Sequence, residues 1–499
     1  MDLDPDACYR AILTRDARFD GLLFVGVTTT GIYCRPVCPA RTPNRENVRF
    51  YPTAAAAESA GFRACLRCRP ETSPELAIWR GTSNTVSRAL ALIQTGALDD
   101  ADVAALAERL GVGDRQLRRL FRVHIGASPL AVAQTRRIHL AKQLIHETDL
   151  PMTEVALAAG FGSVRRFNET FQRLYRRPPA ALRRRAGPRD AEPHAVSLKL
   201  RYRPPYDWDA MLAFLATRAI PEVEIVSGDR YARTIAIGAD QGVIAATPAG
   251  RDCLAVELRF PRLTALPIIL ARIRRVFDLA ADPVLIGEHL SQDPRLAPLI
   301  AARPGLRVPG AWDGFELAIR AVLGQQITVV AARKLAGKLV EAHGDPLPEH
   351  WRADGLSRTF PSPERLAEAD PILVGMPRSR SAALSSVARA VAADPALLGP
   401  SGSLEEAIQR LRALPGIGEW TAQYIAMRAL REPDAFPAAD IGLLRALAAP
   451  DGVRPTPAEL LARAEHWRPW RAYAAQHLWS AGAARARAGE ETVDARQAA

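Results

Sequence analysis

A chain of 499 residues exceeds what a single core usually supports, so several domains are expected. Its 48% hydrophobic content excludes a largely disordered chain, and no apolar run reaches the roughly 18 residues that span a bilayer, so no membrane partner is expected. The net charge is +12, and residues 1–190 carry 29 Lys+Arg against 19 Asp+Glu, so +10 of it lies there. Nearly all of that charge is arginine, which points to a polyanionic partner, although a GC-rich genome's preference for arginine adds to the same bias.

The N-terminal MDLDPDACYR is acidic and lacks an apolar h-region, so a cytoplasmic, nucleoid-associated protein is the expectation. Cys8, Cys34, Cys38, Cys65 and Cys68 fall in the first 68 residues, and Cys253 stands apart. Cys34 and Cys38 form C-x3-C, and Cys65 and Cys68 form C-x2-C. Two such knuckles suit thiolate ligation of a single Zn2+. Spacing alone leaves a purely structural clip open, because a segment of this size has little core. The surrounding TTGIYCRPVCPAR, ENVRF and AGFRACLRC resemble the N-terminal domain of the Ada family of methyl-phosphotriester sensors over residues 19–70. That resemblance implies that Cys34 accepts a methyl group while Cys38, Cys65 and Cys68 complete the zinc site. Four thiolates on Zn2+ carry a formal −2, and methylating one leaves −1. Arg35, Arg41, Arg45, Arg63, Arg67 and Arg69 would then meet DNA against less repulsion, unless they are simply solvated.

From about Thr85 the pattern turns helical. DVAALAERLGVGDRQLRRLFRVHIG predicts a helix from Asp102 to Leu110, a turn at Gly111–Gly113 and a second helix from Asp114. MTEVALAAGFGSVRRFNETFQRLY repeats this, with its turn at Gly160–Gly162 and a helix from Ser163. Asp114 and Ser163 are expected to cap the second helices. Those helices expose Arg115, Arg118, Arg119 and Arg122, then Arg165, Arg166 and Arg173, the faces expected in the major groove. Two tandem motifs resemble the AraC-type DNA-binding domain, against the plainer reading of a helical packing domain. Promoter DNA and RNA polymerase are the partners this implies. RRRAGPRDAEPH, over 183–194, reads as a linker.

SLKLRY places Leu198, Leu200 and Tyr202 on one face, and EVEIV, RTIAIG and AVELRF continue as strands of an antiparallel sheet. From about Pro309, FELAIRAVLGQQITVVAARKLAGKLVEAH shows long helical periodicity. LPGIGEWTAQYIAM then sets a Pro415–Gly418 turn between two helices, with Gly416 and Gly418 freeing amides for a DNA phosphate. Asp440 follows in FPAAD, where an ordinary N-cap before IGLLRALA is the plain alternative. Hairpin and downstream aspartate resemble the helix-hairpin-helix glycosylase superfamily. With the preceding sheet, residues 197–485 resemble the AlkA-type 3-methyladenine glycosylases.

This implies that Asp440 is the catalytic carboxylate for alkylated bases in double-stranded DNA, with Trp420, Tyr424 and Trp479 lining the base pocket. Trp420 stands where strand-cleaving relatives have a lysine, so a monofunctional enzyme is expected. Gln326 stands where an apolar wedge fills the flipped base's gap in such enzymes, which leaves the wedge open. Trp467 and Trp470 are assigned to the core. No cysteine follows Cys253 to hold an iron–sulfur cluster, and no PCHR motif marks an alkylguanine transferase. The expected fold class is multidomain α+β, mainly α. It comprises a zinc-binding Ada-like α/β domain (1–78), an AraC-type double helix-turn-helix (84–186), a small antiparallel-sheet domain (197–306) and a helix-hairpin-helix glycosylase domain (309–486). The last dozen residues are expected to be a tail. A different class of function, a transcription activator whose glycosylase-like half only binds DNA, is the alternative.

Overall fold

The computed structural model describes residues 4–73, 84–183, 195–352, 354–369, 375–399, 403–449 and 451–483. The expected linker lies outside them except for Arg183, as do the boundary near Ile78 and the C-terminal tail.

Helix α1 (Pro5–Leu13) starts on the side-chain cap of Asp4 and lays Cys8, Ala11 and Ile12 against Leu23, Val25 and Val48. Strand β1 (Phe24–Val27) pairs antiparallel with both β2 (Ile32–Cys34) and β3 (Val48–Tyr51). After α2 (Ala54–Ser59), the short β4 (Arg63–Ala64) joins β2 in parallel, giving the order β3-β1-β2-β4. Six helices follow: α3 (Asn84–Gln94), α4 (Val103–Arg109), α5 (Asp114–Ile125), α6 (Pro129–Glu147), α7 (Met152–Ala158) and α8 (Val164–Tyr175). Leu117, Phe121 and Ile125 recur at helical spacing on α5 and share one core with Leu106, Val86, Leu90 and Ile93. In α8, Phe167, Phe171 and Tyr175 stack at i, i+4, i+8 with ring centroids 4.8 and 5.5 Å apart. The long α6 is buried along much of its length.

In β5 (Ala195–Arg201), Val196, Leu198 and Leu200 are buried in strict alternation. Helix α9 (Trp208–Arg218) precedes the antiparallel pair β6 (Glu224–Ser227) and β7 (Arg230–Ile237). Strand β8 (Asp240–Pro248) pairs antiparallel with β9 (Cys253–Arg259), which pairs antiparallel with β5. Sequence patterning did not reveal β8, because consecutive residues Ile244, Ala245 and Ala246 are all buried and apolar–polar alternation is lost.

The rest is helical: α10 (Leu266–Val276), α11 (Pro283–Leu290), α12 (Ala297–Ala302), α13 (Gly314–Leu323), α14 (Val329–His343), α15 (Pro363–Glu368), α16 (Arg378–Ala393), α17 (Leu404–Arg412), α18 (Glu419–Ile425), α19 (Ile441–Ala446), α20 (Pro457–Ala464) and α21 (471–483). The periodicity read through FELAIRAVLGQQITVVAARKL is two helices, not one. The chain breaks after Gly324, Gln326 adopts φ +57, and Thr328 restarts the helix by accepting from the Ala331 amide at 3.2 Å. Apolar spacing survives the break, so the period alone missed it, whereas the Thr328 cap was a legible start signal.

By contacts, the described residues form two compact units. One holds the chain up to Tyr202 together with Ile237–Arg274; the other holds Arg203–Ala236 and everything from Arg275. Among the described residues no helix is long and apolar enough to cross a membrane.

Candidate active site and metal centre

In the first unit, the sheet delivers the cysteines. β2 ends at Cys34, and the parallel pairing of Tyr33 with Ala64, extended by the Cys65 amide donating to the Tyr33 carbonyl at 3.0 Å, sets Cys65 beside it. A tight turn, with the Cys38 amide donating to the Arg35 carbonyl at 3.1 Å, folds Cys38 back toward Cys34. The four Sγ atoms lie within 4.8 Å of one another. A tetrahedron with Zn–S near 2.3 Å has edges of about 3.8 Å, so this donor set fits one Zn2+. Backbone amides of Arg67 and Arg35 approach the Cys65 and Cys68 sulfurs at 3.4 Å each, as second-layer donors do in metal sites. Hydrogen bonding with Cys34 is the largest influence on Cys38 and pulls its thiol down to about 7. Cys65 and Cys68 are buried, while Cys34 and Cys38 stay partly accessible.

The arginines around this site divide. Arg35 is not a DNA-facing residue: its buried guanidinium pairs with Asp20 (Nε–Oδ1 2.7 Å) and donates to the Cys68 carbonyl and Thr72 Oγ1. Arg69 is taken up by Glu71 at 3.1 Å and Glu147 at 3.2 Å. Arg45 lies over the Tyr9 and Phe50 rings. Arg41 and Arg67 are exposed, and Arg63 is half-buried.

The two helix-turn-helix elements stand where expected, with Gly111 and Gly160 supplying the positive φ of their turns (+69 and +88). Ser163 caps α8 by accepting from the Arg166 amide at 3.2 Å. Asp114 does not cap α5. It is the first helical residue, Gly113 is the N-cap, and the Asp114 carboxylate accepts from Arg118 Nε at 2.8 Å instead. Arg115, Arg118, Arg119 and Arg122 are exposed on α5, as are Arg165, Arg166 and Arg173 on α8. Arg118 and Arg165 are held by Asp114 and Glu169 one turn away, exposed and solvent-screened pairs that a phosphate can displace.

In the second unit, α17 and α18 flank the Pro415–Gly418 turn. Gly416 has φ +83, and a Cβ there would stand 2.3 Å from that of Ala383 on α16. Gly418 is the N-cap of α18, and a Cβ on it would meet nothing within 4 Å. Gln325, which sequence reasoning passed over in favour of its neighbour, holds the turn. Its Nε2 donates to the Gly416 carbonyl at 2.8 Å and contacts Thr421 Oγ1 at 3.3 Å, while Arg380 donates to the Gln325 backbone carbonyl at 2.6 Å. Gln326 is exposed in the α13–α14 break. A matched pair separates these roles. Gly416→Ala should cost about 2–4 kcal/mol in a thermal melt, from the left-handed backbone and overpacking. Gly418→Ala should cost no more than about 1 kcal/mol, the difference between glycine and alanine at an N-cap, yet weaken duplex binding by crowding the exposed amides.

Asp440 combines both readings weighed for it. It is the N-cap of α19, with Oδ1 accepting from the Leu443 amide at 3.0 Å. Its carboxylate is also met by two indoles: Trp479 Nε1 donates to Oδ1 and Trp420 Nε1 to Oδ2, each at 2.8 Å. All three partners are N–H donors, the complement of an acceptor-only carboxylate. Gly442 permits the close approach, since a Cβ there would sit 2.9 Å from Asp440 Oδ1 and 3.3 Å from Trp479 Cδ1. Asp440, Trp420 and Trp479 are each half-buried, so the cluster is open to a ligand on one side.

Trp420 stacks on Tyr424 with centroids 5.2 Å apart and planes 9° from parallel. Behind Tyr424 lies Arg428, one turn on and absent from the sequence reading. It donates to the Tyr424 hydroxyl at 2.5 Å and to the Pro309 carbonyl at 2.8 Å. Burial pushes the Tyr424 phenol up, but the Arg428 and Arg218 guanidiniums outweigh it and leave it below the usual tyrosine value. Burial in turn brings Arg428 down to about 10. Trp467 and Trp470 are buried core residues, as read from the sequence.

Comparison with known proteins finds four family matches along the chain. Residues 7–71 match the metal binding domain of Ada, 106–185 a helix-turn-helix domain, 197–313 the AlkA N-terminal domain, and 319–472 the HhH-GPD superfamily of base excision DNA repair proteins. A Mycobacterium tuberculosis protein named a probable bifunctional transcriptional activator/DNA repair enzyme AlkA is 44% identical over 486 residues, 96% of this chain and 97% of that one. DNA-3-methyladenine glycosylase 2 of Escherichia coli is 38% identical over 56% of this chain and 95% of its own. The solved 3-methyladenine DNA glycosylase of Archaeoglobus fulgidus superposes with a TM-score of 0.51 at 22% identity, over 57% of this chain and 98% of that one, a likeness of fold.

Proposed function

We propose, from the premise that this chain belongs to the family of AlkA-type bifunctional transcriptional activator/DNA repair enzymes, that Asp440 carries its glycosylase chemistry and Cys34 its damage sensing. The chain is a DNA-binding hydrolase of the DNA-3-methyladenine glycosylase type, joined to a helix-turn-helix regulator and a zinc site of four cysteines. The observation that carries the first assignment is the Asp440 carboxylate, gripped by the indoles of Trp420 and Trp479 at the end of the hairpin element.

An alkylated base that already carries positive charge is a good leaving group, and the glycosidic bond breaks with positive charge developing on the sugar. Asp440 stabilises that charge and orients the water that attacks the sugar carbon, while its capping and indole bonds fix it beforehand. The Trp420–Tyr424 stack offers an electron-rich surface for a cationic base, worth about 0.5–2 kcal/mol per contact. With an indole rather than an amine at position 420, no imine links enzyme to sugar. The expected product from methylated duplex DNA is therefore free base plus an intact strand bearing an abasic site, cleaved only by alkali. Nicking without alkali, together with borohydride trapping of a covalent complex, would overturn the monofunctional reading.

At the other site, Cys34, Cys38, Cys65 and Cys68 would hold zinc, which would keep Cys34 in its thiolate form. The Cys34 sulfur attacks the methyl carbon of a phosphotriester; the carbon–oxygen bond breaks and its electron pair returns to a phosphodiester anion. The accessible position of Cys34 at the end of β2 supports this role. The loss of one thiolate charge would then favour promoter DNA on α5 and α8 and the recruitment of RNA polymerase in the cytoplasm, at the nucleoid.

A further inference from the structure

Helix α6 joins the two helix-turn-helix elements, and beside its buried apolar face it carries a polar stripe. Thr135, His139 and Lys142 recur at i, i+4 and i+7, which puts them on one stripe. All three reach residues of the cysteine-bearing domain. Thr135 Oγ1 donates to Glu58 Oε2 at 2.6 Å. The fully buried Tyr33, next to Cys34 in β2, donates to Glu58 Oε1 at 2.9 Å and bonds His139 Nε2 at 2.8 Å. Burial would raise Glu58, but bonds from His139, Thr135 and Tyr33 outweigh it and hold the carboxyl below its usual value.

The second contact involves the segment that follows Cys68. Lys142 Nζ pairs with Glu71 Oε2 at 2.6 Å, and neither side chain is exposed. Glu71 follows Cys68 by three residues, and Arg69 between them bonds both Glu71 and Glu147 at the end of α6. Burial raises Glu71, yet Lys142 and His139 outweigh it and hold it at about 2. The Lys142 ammonium also lies 5.6 Å from the centroid of the Tyr175 ring, at the end of the second DNA-facing helix, α8.

Strand β2 and the Cys65–Cys68 knuckle thus both rest on one stripe of α6, and that stripe touches α8. Breaking either member of a buried pair leaves a charge stranded, so this interface tolerates one register and resists gradual loosening. We propose that the Thr135–His139–Lys142 stripe is a coupling surface through which the state of the zinc site sets the stability of α8. Lys142 is its positioning residue, because it pairs with Glu71 beyond the knuckle and also lies against the Tyr175 ring. The coupling is reciprocal: duplex DNA gripped by α8 slows zinc loss.

The test is hydrogen–deuterium exchange on the full chain, zinc-loaded and zinc-stripped, read over Val164–Tyr175. Stripping should speed exchange there about fivefold or more, the lower end of an ordinary coupling energy. In Glu71→Leu/Lys142→Met, which removes both charges together, stripping should change it less than about twofold. Should that pair fail to fold, Tyr175→Leu removes the Lys142 contact with α8 while keeping the Lys142–Glu71 pair, and the same loss of response is expected. Lys142→Arg keeps the charge and should keep the response. Unchanged α8 exchange on stripping the unaltered protein, or an undiminished response in the variants that cut the link, overturns the proposal. The readout is independent of methyl transfer to Cys34, so failure here leaves that assignment standing.

Discussion

Asp440→Asn should slow base release from methylated duplex DNA by about 10²–10⁴-fold while the protein stays folded. Asparagine caps a helix as well as aspartate does, so the bond to the Leu443 amide survives. What is lost is the charge facing the sugar. An amide also has a donor group where the carboxylate has an oxygen, so one of the two indole N–H groups loses its acceptor. That should lower stability by about 1–3 kcal/mol, visible in a thermal melt but far short of unfolding. Single-turnover release of base separates chemistry from product dissociation. Release at the unaltered rate would remove Asp440 from the mechanism and revive the alternative in which this half is only a DNA-binding platform. Trp479→Phe provides the graded control, since it keeps an aromatic face but deletes the N–H to Oδ1. A loss of about tenfold in rate, with little change in duplex affinity, is the expected pattern for one positioning hydrogen bond.

The second large effect concerns Cys34. Exposed to duplex DNA carrying methylphosphotriesters, the unaltered protein should gain roughly +14 Da on Cys34, and Cys34→Ser should gain none. Base release should be the same in both, because the residues that hold Asp440 all come from positions 420, 443 and 479. An adduct located on Cys38 instead would redirect the assignment to the other partly accessible sulfur. An unmodified protein would reduce the zinc site to a folding clip, the reading that spacing alone left open.

The motif-bearing residues were legible because their chemistry depends on local spacing. The cysteine knuckles, the hairpin glycines and Asp440 with Trp420 announce themselves within a few dozen residues. Trp479 needed the family resemblance, since nothing local says that an indole 39 residues further on meets the same carboxylate. The residues that were missed act across longer separations or through backbone. Gln325 reaches a carbonyl 91 positions away. Arg428 is anchored to a carbonyl 119 positions before it. Arg35 looked like one more surface arginine in a basic cluster, and only tertiary contact with Asp20 reveals it as an internal strut. The split between α13 and α14 was hidden for a different reason: apolar periodicity reports which side faces the core, not whether the backbone between two turns is continuous. The N-cap signal of Asp114 misled because the residue one step earlier, Gly113, took the cap position.

The 2.3 Å that a Cβ at Gly416 would leave to Ala383 ties two distant stretches of sequence to one another's history. A substitution at 416 has room only if the helix beneath it recedes, and a side chain larger than alanine at 383 would lift the turn even with glycine retained. Position 416 is therefore expected to stay glycine whatever stands at 383, because its positive φ strains any other residue, and 383 to stay small as long as the turn is kept. A laboratory library randomising 383 alone should return almost exclusively alanine and glycine, and one that randomises both positions should still return glycine at 416.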